Sequence, residues 1–497
     1  MYKFTFLADL HYYSKTLGTS GRAYELRSGS DQKCLAESGA IIDAAFDHLA
    51  RSDTQAVLLA GDLTNDGEMV CHRELREKLY ALAEKKPVYL ITNTHDWCCD
   101  GNPRRFIGAR VTHDVPTMPH TGIHDFYYDF GGRQAIAEYR THLGISSYVI
   151  PLAEKIWLLA LCDDQNGRGK AGYTESHFQW IEEQLRRAKK QGCLVLGMQH
   201  HLLLPHVHPL LTGGCCVGDR EAVTARLADA GLRYMFVGHS HLQRTDRYRS
   251  PAGNELTEVN VGALSGYPVP MVQVTVTDDL QVQMQVEHLA TFDWYGRPVD
   301  AVAYTRDHAC NLLRRLLSAG SPADFAQKLD ALQLPGRKLL PLYPLVKPLF
   351  RLLRTGTVRD LQRTLRRFGL GRYVDAQAAA ELADRPILPY LEWILLQFMD
   401  GSAHPVGRDS AVYRLVLSVI EIPAHLLPGN MDMKKLIFAC DAILTGGIGD
   451  HQQSVFFVPL ALCRFLSRQG AFFVLLKRKM TACPLDKRRP LCYPFVT

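Results

Sequence analysis

Aspartate and histidine recur in this chain at spacings that suit metal chemistry: Asp9-Leu10-His11, Gly61-Asp62, His95-Asp96, Gln199-His200-His201 and Gly238-His239-Ser240-His241. The set offers carboxylate and imidazole donors and no thiolate. Such donors suit Mn, Fe, Zn or a similar divalent ion. Where a carboxylate bridges, two ions are held, and they clamp the attacking and leaving oxygens of a phosphoryl displacement. In extended backbone, residues i and i+2 point the same way, so Asp-x-His and His-x-His are expected to direct both side chains to one ion. The glycines before Asp62 and His239 are expected to let the chain turn sharply and come close to the metals.

The elements that must position these donors are legible as short apolar runs. Runs at 4–8, 56–60, 88–92, 193–198 and 234–237 each end on one of the clusters, and a further run lies at 156–162. Helix-like segments at 36–51, 72–85 and 177–191 fall between them, the rhythm of an α/β domain. Ligands of α/β sheets collect at the carboxyl ends of strands, where these donors lie. Strand-like runs at 256–261, 271–276 and 280–286 follow, the last two alternating at period two around Thr277-Asp278-Asp279, which predicts a hairpin.

In their order, these clusters resemble the signature of the calcineurin-like metallophosphoesterase superfamily: DxH, GD, GNH(D/E), H, GHxH. The resemblance covers roughly residues 1–290, and the segments 162–173 and Gly266-Tyr267-Pro268 also look like the family's. It implies a β-sandwich flanked by helices (α/β/β/α) with two divalent metal ions as cofactors. It implies that Asp9, His11 and His241 hold one ion, that Asp62 bridges, and that His200 and His239 hold the other. His95 would stand outside the metals as general acid or transition-state donor, with Asp96 orienting it. The segment Thr92-Asn93-Thr94-His95-Asp96 departs from the pattern: Thr94 stands where the family has its metal-binding Asn, and Asn93 where it has Gly. Thr94 is the expected occupant of that metal position. Asn93 would reach the ion only if the backbone bulged by one residue.

The implied reaction is hydrolysis of a phosphomonoester or phosphodiester by a metal-bridged hydroxide. The first expectation for substrate is a small diester such as a cyclic nucleotide. Two other readings stand beside it: a non-catalytic binding or scaffold protein on the same fold, and a nuclease.

Other polar residues invite blander readings. Asp66 is expected to cap its loop, and His201 to support rather than ligate. His113, His120 and His124 are expected on the surface of a polar loop over 98–126, in which Arg104 and Arg105 are placed to meet a phosphate. His206 and His208 are candidates for the rim.

Charge divides the chain. Residues 301–497 hold 27 Lys and Arg against 15 Asp and Glu, whereas residues 1–300 hold 30 against 36. The texture changes at about residue 295 to Leu- and Arg-rich segments of helical period, so a phosphoesterase domain over 1–292 and an all-helical module over 293–497 are expected. The stretch 336–372 carries many Lys and Arg and one acid, Asp360. It is read as a solvated or docked helix face, as a contact for an anionic membrane surface, or as a funnel for polyanions. No zinc-finger, helix-turn-helix or RNP pattern favours nucleic acid as a partner.

The 13 cysteines are scattered, odd in number and without a CxxC pair, which reads as reduced thiols in a cytoplasmic protein. The first strand begins so early that no cleaved leader is expected. The segment 454–476 is the most apolar, but Arg464 and Arg468 interrupt it, so a core helix pair is expected there and not a membrane span.

Overall fold

The computed structural model describes residues 1–141, 144, 146–164, 171–207, 209–331, 336–426 and 431–446. The segment 454–476 and His208 lie outside the described residues. Among the described residues, twelve strands build two facing sheets: β1 (Tyr2–Leu7), β2 (Ala56–Ala60), β3 (Val88–Ile91), β4 (Ala137–Arg140), β5 (Ser146–Ala153), β6 (Ile156–Ala160), β7 (Leu194–Met198), β8 (Tyr234–Val237), β9 (Arg244–Arg249), β10 (Glu255–Asn260), β11 (Pro270–Val276) and β12 (Val282–His288). One sheet has the order β12-β11-β1-β2-β3 and the other β9-β10-β8-β7-β6-β5-β4.

Continuous apolar strands arise because both faces of each sheet are covered. In β2, Ala56, Leu58 and Ala60 face the layer between the sheets, with Phe4, Phe6, Leu158, Leu196 and Phe236. Val57 and Leu59 face the opposite way, into a layer shared with α1 (Ser38–Arg51) and α2 (Met69–Ala83). On the far side, α3 (Glu175–Lys190) and α4 (Arg220–Asp229) cover Trp157, Leu159, Val195 and Met235. The architecture is α/β/β/α. Helix α3 shows how the sequence specifies such a layer. Thr174 accepts the His177 N–H as N-cap, Glu175 sits in the first turn, and Arg187, Lys189 and Lys190 sit in the last. Its buried residues Phe178, Ile181, Leu185 and Ala188 form one stripe.

Two strands carry no clear apolar signal. β4 and β9 are edge strands, and β9 is RTDRYR, held by six backbone register pairs to β10 rather than by apolar burial. β5 has an irregular register between Pro151 and Ala153. The expected hairpin is present, with β11 and β12 paired from Pro270↔His288 to Val276↔Val282. The loop over 98–126 is more ordered than its polarity suggests, since Arg105–Ile107 pairs with Arg110–Thr112.

Beyond residue 300 the described elements are helices: α5 (Ala301–Leu317), α6 (Pro322–Ala331), α7 (Tyr343–Thr355), α8 (Val358–Arg367), α9 (Leu388–Met399), α10 (Ala411–Ile420) and α11 (Met431–Thr445), with shorter turns between. They rest on the loops that carry the donors. Met399 O accepts the Gln243 N–H at 2.9 Å, Tyr267 Oη donates to Asp400 at 2.9 Å, and the His308 ring meets Asp31 O at 2.8 Å. Among the described residues, no helix is long and apolar enough to cross a membrane, and ten cysteines are free.

Candidate metal centre

The carboxyl ends of β1, β2, β3, β7 and β8 converge, and the loops that leave them are stitched together. Asp9 N–H donates to Gly61 O (3.2 Å), His11 N–H to Asp62 O (2.9 Å) and Gly238 N–H to His200 O (3.0 Å). The donors are not presented from extended backbone, as the i, i+2 argument supposed. Asp9, His11, Asp62, His239 and His241 all have positive φ, between 44° and 66°. Left-handed residues alternating with ordinary ones curl each loop around the site, and this costs on the order of 1 kcal/mol per non-glycine residue. Gly61 shares the turn at φ 82°. Gly238 matters for closeness: a Cβ there would lie 2.5 Å from Asp9 Oδ2.

Two buried groups of donors result, Asp9 with His11 and His241, and Asp62 with His200 and His239. Within each group the ligand atoms lie within 4.8 Å of one another. His11 Nε2 is 3.0 Å from His241 Nε2, and His239 Nδ1 is 3.1 Å from His200 Nε2. Asp62 Oδ2 lies 3.2 Å from His200 Nε2 and 3.9 Å from His11 Nε2, so it reaches both groups. Asp9 Oδ1 and Asp62 Oδ2 are fully buried with no hydrogen-bond partner. Burying an unpartnered carboxylate oxygen is costly unless a cation takes it. The residues present therefore fit divalent cations, and the oxygen and imidazole donors suit Mn, Fe, Zn or a similar ion.

The family model for calcineurin-like phosphoesterases matches residues 2–243. This region belongs to that family. The match and the two donor groups support metal-dependent hydrolysis of phosphoesters. Among solved structures, a dimetal phosphatase from Danio rerio is similar at 12% identity, over 61% of this chain and 98% of that one, with a TM-score of 0.41. A purple acid phosphatase from yellow lupin (Lupinus luteus) seeds is similar at 12% identity, over 60% and 52%, with a TM-score of 0.38. A 5'-nucleotidase precursor from Thermus thermophilus is similar at 12% identity, over 64% and 59%, with a TM-score of 0.34. No curated protein matches the sequence.

A second layer of the phosphoesterase domain orients the donors. His200 Nδ1 contacts Ala60 O at 2.6 Å, which leaves Nε2 for a cation. His241 Nδ1 meets the Gln32 amide at 2.7 Å. Burial would lower the His200 pKa, but Asp62, Asp9 and Asp163 raise it to about 10, so an entering cation displaces a proton. Burial would raise Asp62, yet His200 and His95 hold it well below the carboxylate range. Burial and Lys33 hold His11 well below the imidazole range.

His95 reaches the site with its ring 5.2 Å from the His11 ring. Its Nδ1 is held by the carbonyl of Asn65, with Asp66 Oδ1 3.9 Å away. Asp96 does not orient it. The Asp96 carboxylate instead accepts the N–H groups of Asn93 and Thr64, both at 2.9 Å, and ties the turn over 93–97 to the loop after β2. A carboxylate next in sequence to His95 is spent on backbone because that turn exposes buried N–H groups that need an acceptor.

The Asn93 amide is also committed. Its oxygen accepts Thr94 N–H at 2.8 Å and its nitrogen donates to Asp163 at 2.9 Å. Arg104, expected to meet a phosphate, forks onto Asp66 at 2.8 and 2.6 Å, so Asp66 is an ion-pair partner and not a loop cap. His206 is fully buried against Glu258 at 2.8 Å rather than at the rim. His201 packs its ring 4.2 Å from His239 and leans on Asp163.

Sequence reasoning missed Gln32, Lys33, Asp163 and Glu258. Only Asp163 carries a usable signal, since it follows β6 as the other donors follow their strands. Lys33 is fully buried, its ammonium has no hydrogen-bond partner, and Asp31 is 3.9 Å away.

Glu68, beside this layer, gives a pH signature. Burial, and then Asp66, raise its pKa from 4.5 to about 7. Between those values the folded state keeps a proton that the unfolded state has lost, so stability falls as pH rises through the window and levels off above it. Glu68→Gln is expected to flatten this slope and to leave the metal-free protein more stable at about pH 8 by on the order of 2 kcal/mol. Urea unfolding at about pH 5 and about pH 8 checks it, and equal slopes in both proteins would refute it.

Proposed function

We propose that the protein hydrolyses a small phosphodiester, with Asp9, His11, Asp62, His200, His239 and His241 holding two divalent ions and His95 serving the leaving group. The observation that carries this reading is the meeting of two unsatisfied donor groups with the His95 ring 5.2 Å from His11. Bound there, two ions would acidify a water and neutralise charge on the phosphoryl oxygens. Water oxygen bonds to phosphorus, the ester P–O bond breaks, and the departing oxygen takes a proton. His95 is placed to give that proton. Its Nδ1–H is engaged by Asn65 O, so Nε2 carries a proton only in the imidazolium form. Burial, with Lys33, holds the His95 pKa below the imidazole range although Asp62 and Asp66 oppose it, so the acid role is expected to weaken as pH rises.

Arg104 is paired with Asp66, so it is not held ready for the second charge of a monoester, which favours the diester reading. Thr94 remains our candidate for the position next to the ions, since the Asn93 amide is already bonded at both ends. Six of the expected donors stand together in two buried groups, which favours hydrolysis over a scaffold role.

The test is turnover of bis-p-nitrophenyl phosphate against p-nitrophenyl phosphate by protein stripped of metal and refilled with Mn. A kcat/KM at least about tenfold higher for the diester is expected, a difference of about 1.4 kcal/mol in transition-state binding. A preference for the monoester overturns the diester reading. No turnover of either with any divalent ion overturns catalysis and leaves a binding role.

A further inference from the structure

The C-terminal helices carry a second surface that the hydrolytic site does not use. In α8, Thr357 and Asp360 form a capping box, Val358 is buried, and Leu365 packs with the cluster of Ala378 and Leu415. The apolar side of this helix is thus occupied by the protein itself. The other side is arginine: Arg359, Arg363, Arg366 and Arg367 are all exposed. At 100° per residue they fall within an arc of about 100°. Arg359 pairs with Asp384, and Arg363 lies 3.7 Å from Asp360. Arg366 and Arg367 have no ion pair among the described residues. Phe368, which ends the helix, is 75% exposed. Those exposures agree with the expected solvated helix face and not with one docked on the acidic phosphoesterase domain.

Helix α7 repeats the pattern, with Lys347, Arg351 and Arg354 exposed at i, i+4 and i+7. These three line an open groove of about 550 Å³ whose apolar walls are Leu317, Pro348 and Leu352. Asp360 lines the same groove and approaches Arg363, so the groove and the arginine stripe adjoin. Over residues 336–372 ten Lys and Arg face one acid.

We propose that this face docks on a bilayer carrying anionic lipid. The groove takes an anionic head and the first carbons of its chain, the arginine stripe rests on the phosphate plane, and Phe368 enters the interface. Charge complementarity supplies the attraction, each cation near an anionic leaflet raising affinity roughly fivefold. Nucleic acid offers the same charge, but a groove that pairs cations with apolar walls, beside an exposed aromatic ring, suits an amphiphile better. Contact at the surface needs no spanning helix.

Flotation of the full-length protein with phosphatidylcholine vesicles, with and without phosphatidylserine, tests this. Binding only to the anionic vesicles, weakened by salt, is expected. The triple variant Arg363→Gln/Arg366→Gln/Arg367→Gln is expected to bind roughly 100-fold more weakly, and Phe368→Ser roughly tenfold. The groove variant Arg351→Gln/Arg354→Gln provides an independent loss if the triple variant does not fold. Arg186→Gln, exposed on α3, is expected to bind as the wild type. Equal binding to neutral vesicles, no binding to either, or full binding by both arginine variants would overturn the proposal. So would single-stranded RNA that binds through the same arginines more tightly than the vesicles do.

Discussion

Asp62→Ala is expected to lower kcat/KM by at least about 10³-fold, more than a single electrostatic donor usually contributes. Asp62 has three roles at once. Its Oδ2 lies 3.2 Å from His200 Nε2 and 3.9 Å from His11 Nε2, so one oxygen serves both donor groups. Its Oδ1 accepts the His95 N–H at 3.3 Å, which ties the leaving-group histidine to the same carboxylate. Its charge is the main influence that raises His200 against burial. The variant is therefore expected to hold fewer ions per chain by elemental analysis, and not merely to turn over slowly. Asp62→Asn keeps the size and loses the charge, and is expected to fail nearly as badly. Mn-dependent turnover near the wild-type rate, or an unchanged ion content, would remove Asp62 from the bridging role.

His95→Ala is expected to cost about 10²–10⁴-fold, the usual contribution of a positioned acid or base, and to leave the ion content unchanged. Its signature is dependence on the leaving group. An ester that releases p-nitrophenolate needs little protonation, whereas one that releases an alkoxide needs it fully. The loss should therefore be larger for alkyl than for nitrophenyl esters. His95 stands beside His11 but belongs to neither donor group, and its Nδ1 is engaged by Asn65 O. An equal loss for both leaving groups would reassign it to positioning, and a loss of ions would make it a ligand.

Much of the fold was legible because its signals are local. β2 and β8 coincide with apolar runs that must be buried on both faces, and each ends where donors begin. β9 was not legible, because RTDRYR becomes a strand through its partner β10 and not through its own apolarity. The support of His95 was misassigned for a related reason. Asp96 is its neighbour in sequence, but the carbonyl that holds the ring comes from Asn65, 30 residues away.

The sequence by itself determined the kinds of donors, their order and the strand ends that bear them, since burial and periodicity act over a few residues. Only the tertiary structure decided which donors stand together, which cations are already paired, and which backbone residues are left-handed. Asp9 meets His241, His241 meets Gln32, and Arg104 meets Asp66 across spans of 232, 209 and 38 residues. No local propensity encodes such pairings. They follow from the packing of the two sheets, which brings the ends of β1, β2, β3, β7 and β8 to one place.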